Sequence, residues 1–273
     1  MARLGVSSEG RVFVNGRPAD TDEPVDRGDR IEVFPLRKAA LQHEVFVLAQ
    51  RDGIILAHKP AGLPTETTQH GQESAVSALL ARLNGGRVHA ASRLDTQVSG
   101  VVAFTLGRDA ARRMEQWRER SLVRRDYLAL ASVEHLSPVG EWTGALVKVR
   151  DRGGRFRSVV RGDGKPAHTR YRVAGKTPVG VGLLVLTPTT GRLHQLRAHA
   201  AAADAPLLGD RTYGGERRLV DGNGRILELE RVALHAFRVE LPHQAAESEP
   251  PALFEKIWRT SGGDDWPALI RSL

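Results

Sequence analysis

An arginine and an aspartate stand two residues apart in Arg93–Leu94–Asp95, just before Ser99–Gly100 and an apolar run. Residues two apart in an extended chain point to the same side, so both charges can share one face of a strand edge or loop. An ionised aspartate in such a place could attack a substrate or take a proton from it. An isolated pair of this kind is more often a surface ion pair that contributes little to stability. Other segments must therefore decide its role.

A second polar segment follows the apolar run 181–187, which predicts a strand at the centre of a sheet. On a helix, its apolar residues would form one stripe, and His194 and Arg197 would be i,i+3 neighbours on another face. A helix start of this composition predicts the polar wall of a site. The spacing of His194 and His199 does not match a zinc-binding His-x-x-x-His pattern, so no metal is expected. The stripe comprises Leu193, Leu196, Ala200 and Ala203.

The charge of the chain favours a polyanionic partner. The formal net charge is +8 over 273 residues, and arginine, whose planar fork suits phosphate, supplies most of the excess. Residues 148–172 concentrate basic side chains among glycines, which predicts a flexible basic hairpin that follows a phosphate backbone. A solvated loop is the alternative. The residues expected to contact a nucleic acid there are Arg150, Arg152, Arg155, Arg157 and Arg161.

Several classes of protein are disfavoured by composition. Cysteine is absent, so the sequence offers neither disulfides nor thiolate metal sites. The first residues lack the apolar core of a signal peptide, and no apolar run reaches the roughly 20 residues that span a bilayer. We therefore expect a cytoplasmic protein without a membrane partner. We also expect it to be a monomer.

The N-terminal residues 1–37 predict a small β-rich unit, followed by a linker at 38–44. A short strand meets an Asn15–Gly16 turn, and a second turn at Gly28–Asp29 precedes another strand. The Val-Asn-Gly and Gly-Asp-x-Ile-x-Val segments resemble the second half of the alpha-L RNA-binding module. The helices that usually precede that half are mostly missing, so a plain β-hairpin is the other interpretation.

The pattern from residue 45 onward predicts an α+β domain that extends to residue 243. Strands are expected at 45–57 (with a turn at Asp52–Gly53), 124–131, 181–187 and 233–242, and helices at 71–86 and 109–120. Ala110, Met114, Trp117 and Ser121 should form the inner face of the second helix. The tail 244–273 should carry a short packing helix at 253–258.

Five segments, taken together, resemble the RluA-type family of RNA pseudouridine synthases, and they occur in the family's order. The string Gly191-Arg192-Leu193-His194-Gln195-Leu196-Arg197 is the most specific of them. The others are Lys59-Pro60-Ala61-Gly62, Arg93-Leu94-Asp95 with Ser99-Gly100, Arg125-Asp126-Tyr127-Leu128-Ala129, and Gly209-Asp210-x-x-Tyr213-Gly214.

The resemblance implies a large, mostly antiparallel mixed β-sheet flanked by helices, with a central cleft. It implies that Asp95 is the catalytic aspartate, that Tyr127 contacts the target base, and that Arg197 pairs with Asp95. Arg93 would fill the stack left by the extruded nucleotide, and Leu196 would pack against the tyrosine or base. Arg192, His194 and Gln195 would join the substrate-binding wall. The substrate would be a uridine of ribosomal or transfer RNA, and this isomerisation needs no cofactor.

Two positions depart from the family pattern. Ser92 stands where the family usually has histidine, and Val98 where it usually has threonine. These departures keep open a second hypothesis, a non-catalytic RNA-binding or assembly protein on the same scaffold. A hydrolase using Asp95 and His194 would need a second acid group that the sequence does not identify. Whether the aspartate acts as nucleophile or as base stays open.

Overall fold

The structure is a computed structural model. It describes residues 2–3, 10–15, 17–19, 24–35, 44–67, 73–83, 88–151 and 153–273. No helix within these ranges is long and apolar enough to cross a membrane.

The N-terminal residues form short strands. Strand β1 (Ala2–Arg3) pairs with β4 (Pro24–Val25), and β2 (Gly10–Val14) lies between β3 (Arg17–Ala19) and β5 (Ile31–Pro35). Asn15 has a positive φ of 53° and its side chain donates to Asp29 at 2.8 Å. The predicted strands around this turn are confirmed. Gly16 and most of the predicted linker, residues 38–43, lie outside the described residues.

A mixed, mostly antiparallel sheet of eleven strands forms the scaffold of the described main body, as predicted. Its main path runs in the order β12-β11-β13-β14-β10-β17-β9-β7-β6, with β8 paired to β9 and β18 to β17. Strands β9 and β17 pair in parallel. The strands are β6 (Phe46–Arg51), β7 (Ile54–Lys59), β8 (Val88–Ala90), β9 (Ser99–Leu106), β10 (Arg124–Ser132), β11 (Val139–Arg150), β12 (Phe156–Val160), β13 (Lys165–Lys176), β14 (Val181–Pro188), β17 (Leu234–Leu241) and β18 (Gln244–Glu247), with β15 (Arg218–Val220) and β16 (Ile226–Glu228) forming a separate hairpin.

Helices cover both faces of this sheet. Adjacent residues of β10 enter different hydrophobic clusters, because side chains alternate along a strand. Ala129 packs in a cluster with Leu196, whereas Leu128 packs in one with Phe254 and Trp258. The helices are α1 (Ala75–Arg82), α2 (Gly107–Glu119), α3 (Gln195–Ala202), α4 (Ala252–Thr260) and α5 (Trp266–Arg271).

The predicted helices are present, with different ends. Ser74 caps α1 through a reciprocal capping box with Ser77, and this cap starts the helix later than residue 71. The inner face of α2 is correct for Ala110 and Met114, which are buried. It is wrong for Ser121, which is exposed and has a φ of 57°. That left-handed residue lies after the end of the helix.

Two regions are more regular than predicted. The basic segment 148–172, predicted as a flexible basic hairpin, consists of parts of β11, β12 and β13, which pair as antiparallel hairpins. The predicted hairpin is therefore present, although the arginine and glycine content did not reveal its regular strands, in which Ser158 is buried between more accessible neighbours. The tail after residue 243 adds β18 to the sheet and, in α4, the packing helix that was predicted. Helix α5 was not predicted.

The close contact between β9 and β17 requires a glycine at position 100. Its φ is +117°, and a Cβ there would overlap the backbone of Ala236 on β17. We expect Gly100→Ala to lower the free energy of unfolding by at least about 3 kcal/mol, because strain and overlap add. Urea denaturation measures this. Gly224→Ala, at φ +77° with open space around it, should cost only about 1 to 2 kcal/mol; equal losses in both variants would contradict the close approach.

His235 of β17 makes the same junction sensitive to pH. Its Nδ1 lies 2.9 Å from Ser99 Oγ and its Nε2 lies 2.8 Å from the carbonyl of Ser248. Burial lowers the pKa of His235 from 6.5 to about 4. The folded protein therefore resists a proton that the unfolded chain accepts, and its stability should fall as the pH drops from 6.5 toward 4.

The expected loss over that interval is roughly 3 kcal/mol. It is measured as the free energy of unfolding against pH, from urea denaturation of the protein and of His235→Gln. The variant should lose most of this slope, whereas His135→Gln at an exposed position should retain it. A slope that persists in His235→Gln would refute the assignment.

Candidate active site

Asp95 lies in the loop between β8 and β9, and backbone contacts fix this loop. Thr65 Oγ1 donates to the carbonyl of Leu94 at 3.0 Å and accepts from its amide at 3.1 Å. The amide of Gly62 donates to the carbonyl of Thr96 at 2.7 Å. The rigid loop after β7 thus holds the residues on both sides of the aspartate.

The side chain of Lys59 adds further hydrogen bonds between the loop after β7 and the loop that carries Asp95. It is fully buried, and its Nζ donates to the carbonyls of Pro60 at 2.8 Å, Leu63 at 2.7 Å and Thr96 at 3.4 Å. Burial lowers the pKa of Lys59 to about 7, and the negative charge of Asp95 opposes that shift. The lysine therefore ties two loops together and lies close enough to Asp95 to interact with its charge.

Arg197 of α3 joins two carboxylates. Its Nη1 donates to Asp95 Oδ2 at 2.7 Å, which confirms the predicted pairing. Its Nε and Nη2 donate to the two oxygens of Asp210 at 2.6 and 2.8 Å, a bidentate geometry. The side chain of Arg197 is 7% exposed, Asp210 is 0% and Asp95 is 25%. The outer carboxylate is thus the accessible one.

Asp210 is held by the turn that follows α3. Its Oδ1 also accepts the amides of Thr212 at 3.0 Å and Tyr213 at 3.2 Å. Burial alone would lower the pKa of Arg197, but hydrogen bonds and charges from Asp210 and Asp95 raise it above its usual range. Arg197 is therefore a permanent cation beside Asp95.

His194 lies next to the same carboxylate, although not on the helix as predicted. It precedes α3 in a left-handed conformation with φ 50°, so the predicted helical stripe fails at its first member, Leu193, which is exposed. The Nε2 of His194 is 3.6 Å from Asp95 Oδ2. Burial lowers the pKa of His194 while Asp95 opposes the shift, so the imidazole is largely neutral near pH 7.

Tyr213 connects His194 to β12 at the edge of the sheet. Its hydroxyl lies 3.2 Å from His194 Nδ1, accepts the amide of Ser158 at 2.9 Å, and donates to the carbonyl of Ser158 at 3.0 Å. Burial raises the pKa of Tyr213 to about 12. The phenol therefore stays protonated and fixes β12 against the site.

Tyr127 and Leu196 belong to the same hydrophobic region of the site. Tyr127 of β10 packs, partly buried, against the hydrophobic cluster that contains Leu196 and Val98, and Leu94 does the same. Burial raises the pKa of the Tyr127 hydroxyl; Arg125 opposes this shift and Asp95 adds to it. The phenol thus lies within electrostatic reach of the carboxylate.

The remaining predicted residues occupy different environments. Arg93 is 73% exposed and meets Glu66 at 3.4 Å, so it does not share the Asp95–Arg197 pair. Arg192 Nε donates to the carbonyl of Pro166 at 3.2 Å. Gln195 is buried, and its amide donates to the carbonyl of His168 and to Thr169 Oγ1. Gln195 therefore anchors the turn before α3 to β13.

Most of the predicted basic residues lie on or beside β12. Lys148 Nζ and the guanidinium of Arg150 lie 3.7 and 4.5 Å from the ring centroid of the exposed Phe156. Arg155 pairs with Asp151 at 3.1 Å, and Arg161 pairs with Asp163. Arg157 has a buried Nε without a partner in the described residues. Arg152 lies outside the described residues.

Comparison with known proteins assigns this arrangement to a family. A family model described as RNA pseudouridylate synthase matches residues 53–202, more than half of the chain. Ribosomal large subunit pseudouridine synthase C of Escherichia coli is 30% identical over 86% of this chain and 78% of its own length. The chain belongs to the RluA-type RNA pseudouridine synthases. It is an isomerase that acts on RNA.

Other relatives agree. An uncharacterized RNA pseudouridine synthase of Bacillus subtilis, YhcT, is 29% identical over 93% of this chain and 86% of its own. The human protein RNA pseudouridylate synthase domain containing 4 aligns with a TM-score of 0.61 at 24% identity, over 81% of this chain and 94% of that one. The latter similarity shows a shared fold.

The two departures from the family pattern have local explanations in this synthase. Ser92 Oγ accepts the amide of Ala103 at 3.2 Å and so holds the loop against β9. Val98 is buried in the cluster beneath Tyr127. Neither residue displaces the ion pair between Asp95 and Arg197.

Three residues of the site received no role from the sequence. Lys59, Asp210 and Tyr213 all lie in segments that carry the family resemblance, yet their contacts depend on tertiary structure. The sequence did contain an indication for Asp210. This aspartate lies in a glycine-rich turn that directly follows the apolar pair Leu207–Leu208, which suggests a turn that faces the interior. Nothing in the sequence joined it to Arg197.

Asp210 should be a major contributor to stability. Asp210→Asn would leave Arg197 buried with one charged partner, and we expect the free energy of unfolding to fall by about 3 to 5 kcal/mol. Urea denaturation measures this. Glu228→Gln removes the partner of exposed Arg218 at 2.8 Å and should change stability by less than about 1 kcal/mol. A loss as small in Asp210→Asn would contradict the buried pairing.

Proposed function

We propose that this synthase converts specific uridines of ribosomal or transfer RNA to pseudouridine with Asp95 as its catalytic carboxylate. The observation that carries the proposal is the 2.7 Å contact of Asp95 with a buried arginine that is itself held by Asp210. Large-subunit ribosomal RNA is the favoured substrate, because relatives with 30% identity bear that name. Transfer RNA is the second.

The reaction breaks the bond from ribose carbon 1′ to uracil nitrogen 1 and makes a bond from that carbon to carbon 5. The hydrogen of carbon 5 leaves as a proton, and nitrogen 1 ends protonated, so no electrons are gained or lost. Asp95 would either attack the nucleoside or take a proton from its sugar. Both roles require an ionised carboxylate, which the cation of Arg197 favours.

Base recognition would fall to the cluster beside Asp95. A tyrosine ring offers a stacking face for uracil together with a hydroxyl, and Tyr127 would supply both. Leu196 would pack beside it. Extruding a base from its stack costs a few kcal/mol, and the exposed Arg93 could offset this by filling the space that the base leaves.

RNA beyond the target nucleotide would contact the basic strands. Arg150 ends β11, Arg157 lies in β12, and Arg155 and Arg161 flank β12. The exposed Phe156 offers a ring for stacking. Residues 1–37 would add a second RNA contact if they form the alpha-L-type module. We propose a cytoplasmic monomer.

Turnover tests the role of Asp95. The synthase is incubated with total RNA that carries tritium at carbon 5 of uracil, and released tritium is counted. We expect Asp95→Asn to reduce release at least about 100-fold, as loss of an acid–base or nucleophilic group does. Asp109→Asn, at an exposed position on α2, should leave release unchanged. Equal release by the protein and Asp95→Asn would refute the assignment.

Pseudouridine mapping identifies the substrate. Total RNA from a strain that lacks the gene is compared with RNA from the same strain after the gene is restored. We expect one or a few uridines of large-subunit ribosomal RNA to lose modification and regain it. Restored sites confined to transfer RNA would support the second substrate, and changes in neither RNA class would contradict the proposal.

A further inference from the structure

We propose that Arg125 and the turn 189–192 form a binding subsite for a backbone phosphate next to the target uridine. Arg125 belongs to the segment that carries Tyr127, yet none of the steps above uses it. The inference rests on the proposed function, because it concerns the same RNA strand in the same cleft.

Arg125 faces the cleft. It lies two residues before Tyr127 on β10, so the two side chains project from the same face of the sheet. Its positive charge acts on the Tyr127 hydroxyl, which places the guanidinium near the phenol. The neighbouring Arg124 and Asp126 project from the opposite face, where they pair with each other at 3.0 Å.

The guanidinium of Arg125 has most of its donors unused within the described residues. Its Nη2 donates to the carbonyl of Thr190 at 3.2 Å. Its Nε is buried and has no hydrogen-bond partner among those residues, and no described carboxylate lies within ion-pair distance. Arg124, in contrast, meets both Asp126 and Glu240.

The buried Nε–H of Arg125 is costly in this state, because burial removes water from it without supplying an acceptor. The nearby carboxylate of Asp95 is already bound to Arg197 through Oδ2. An RNA strand brings phosphate oxygens, whose geometry matches the parallel N–H groups of a guanidinium. A phosphate at Nε and an adjacent nitrogen would satisfy the donors that the protein leaves unpaired.

The turn beside Arg125 leaves room for such a group. Gly191 carries no side chain, and the point where a Cβ would lie is 3.6 Å from Arg125 Nη1, with no other atom in close contact. The exposed Arg192 follows directly. A backbone phosphate could therefore approach Arg125 over Gly191 with a second arginine next to it, while its uracil ring lies against Tyr127.

A site-resolved binding experiment tests the subsite without turnover. Side-chain Nε–H resonances of the arginines are recorded by NMR during titration with uridine 5′-monophosphate, inorganic phosphate or uridine. The Arg125 signal is assigned by its loss in Arg125→Lys. We expect both phosphate compounds to shift it and uridine to leave it unchanged.

Arg113 provides the control signal, since it lies on α2 and donates to the carbonyl of Asp52. An Arg125 signal that moves no more than that of Arg113, or that moves equally with uridine, would overturn the inference. The measurement decides the subsite even if Asp95 proves not to be catalytic or the RNA differs from the one proposed.

A kinetic cycle adds a second readout. An RNA that contains the mapped target uridine is made with an uncharged methylphosphonate at either flanking phosphate. For the unaltered protein, we expect the methylphosphonate at one of the two positions to raise KM roughly 10- to 100-fold relative to unmodified RNA, with kcat little changed. This is the effect of losing one charge-assisted hydrogen bond. Arg125→Gln should show the same rise with unmodified RNA and no further rise with the methylphosphonate.

Arg125→Lys keeps the charge but loses the fork, so its KM should lie between those of the parent and Arg125→Gln. Independent, multiplicative penalties at both phosphates would show that Arg125 acts only as a structural clamp on Thr190, and would overturn the inference. If Arg125→Gln fails to fold, the NMR titration of the unaltered protein decides.

Discussion

The arrangement of the site depends on one buried cation that is shared by two carboxylates. Asp210 is wholly buried and takes two of the three contacting nitrogens of Arg197, whereas Asp95 takes the third from a more exposed position. The two carboxylates are therefore not equivalent. The inner one fixes the direction of the guanidinium, and the outer one is left with part of its surface open to a substrate. A single arginine paired with Asp95 alone would lack this fixed geometry.

The central part of the sheet brings these distant residues together. Tyr127 comes from β10, Arg197 from the helix after β14, and Asp95 from the loop before β9. Strand β10 lies between β14 and β17, and β17 joins β9 through a close parallel contact. The backbone amide of Gly62, the side-chain hydroxyl of Thr65 and the buried ammonium of Lys59 then fix the loop through hydrogen bonds. The strands thus bring the three site residues near one another, and a few buried polar contacts fix their exact positions.

The sequence was informative where periodicity or a family motif carried the signal. Alternating and apolar runs predicted the strands, and the motif order implied the contact between Asp95 and Arg197 and the place of Tyr127. Prediction from the sequence failed where the conformation of a residue depends on neighbours that are distant in the chain. A left-handed His194 resembles the first turn of a helix, and a buried Asp210 in a turn resembles an exposed one. The basic segment around β12 was predicted as a flexible hairpin, because its arginines and glycines do not reveal that β11 and β12 pair as regular strands.

The hydroxyl of Tyr213 has a consequence for the outer margin of the sheet. Among the described strands, β12 is the last one on its side of the sheet. An edge strand offers unpaired amides and carbonyls to another chain. At Ser158 both backbone groups are occupied by one phenol from the same molecule. A strand of another molecule could pair with Ser158 only after displacing Tyr213. The tyrosine that fixes β12 against the site therefore also disfavours edge-to-edge association at this position.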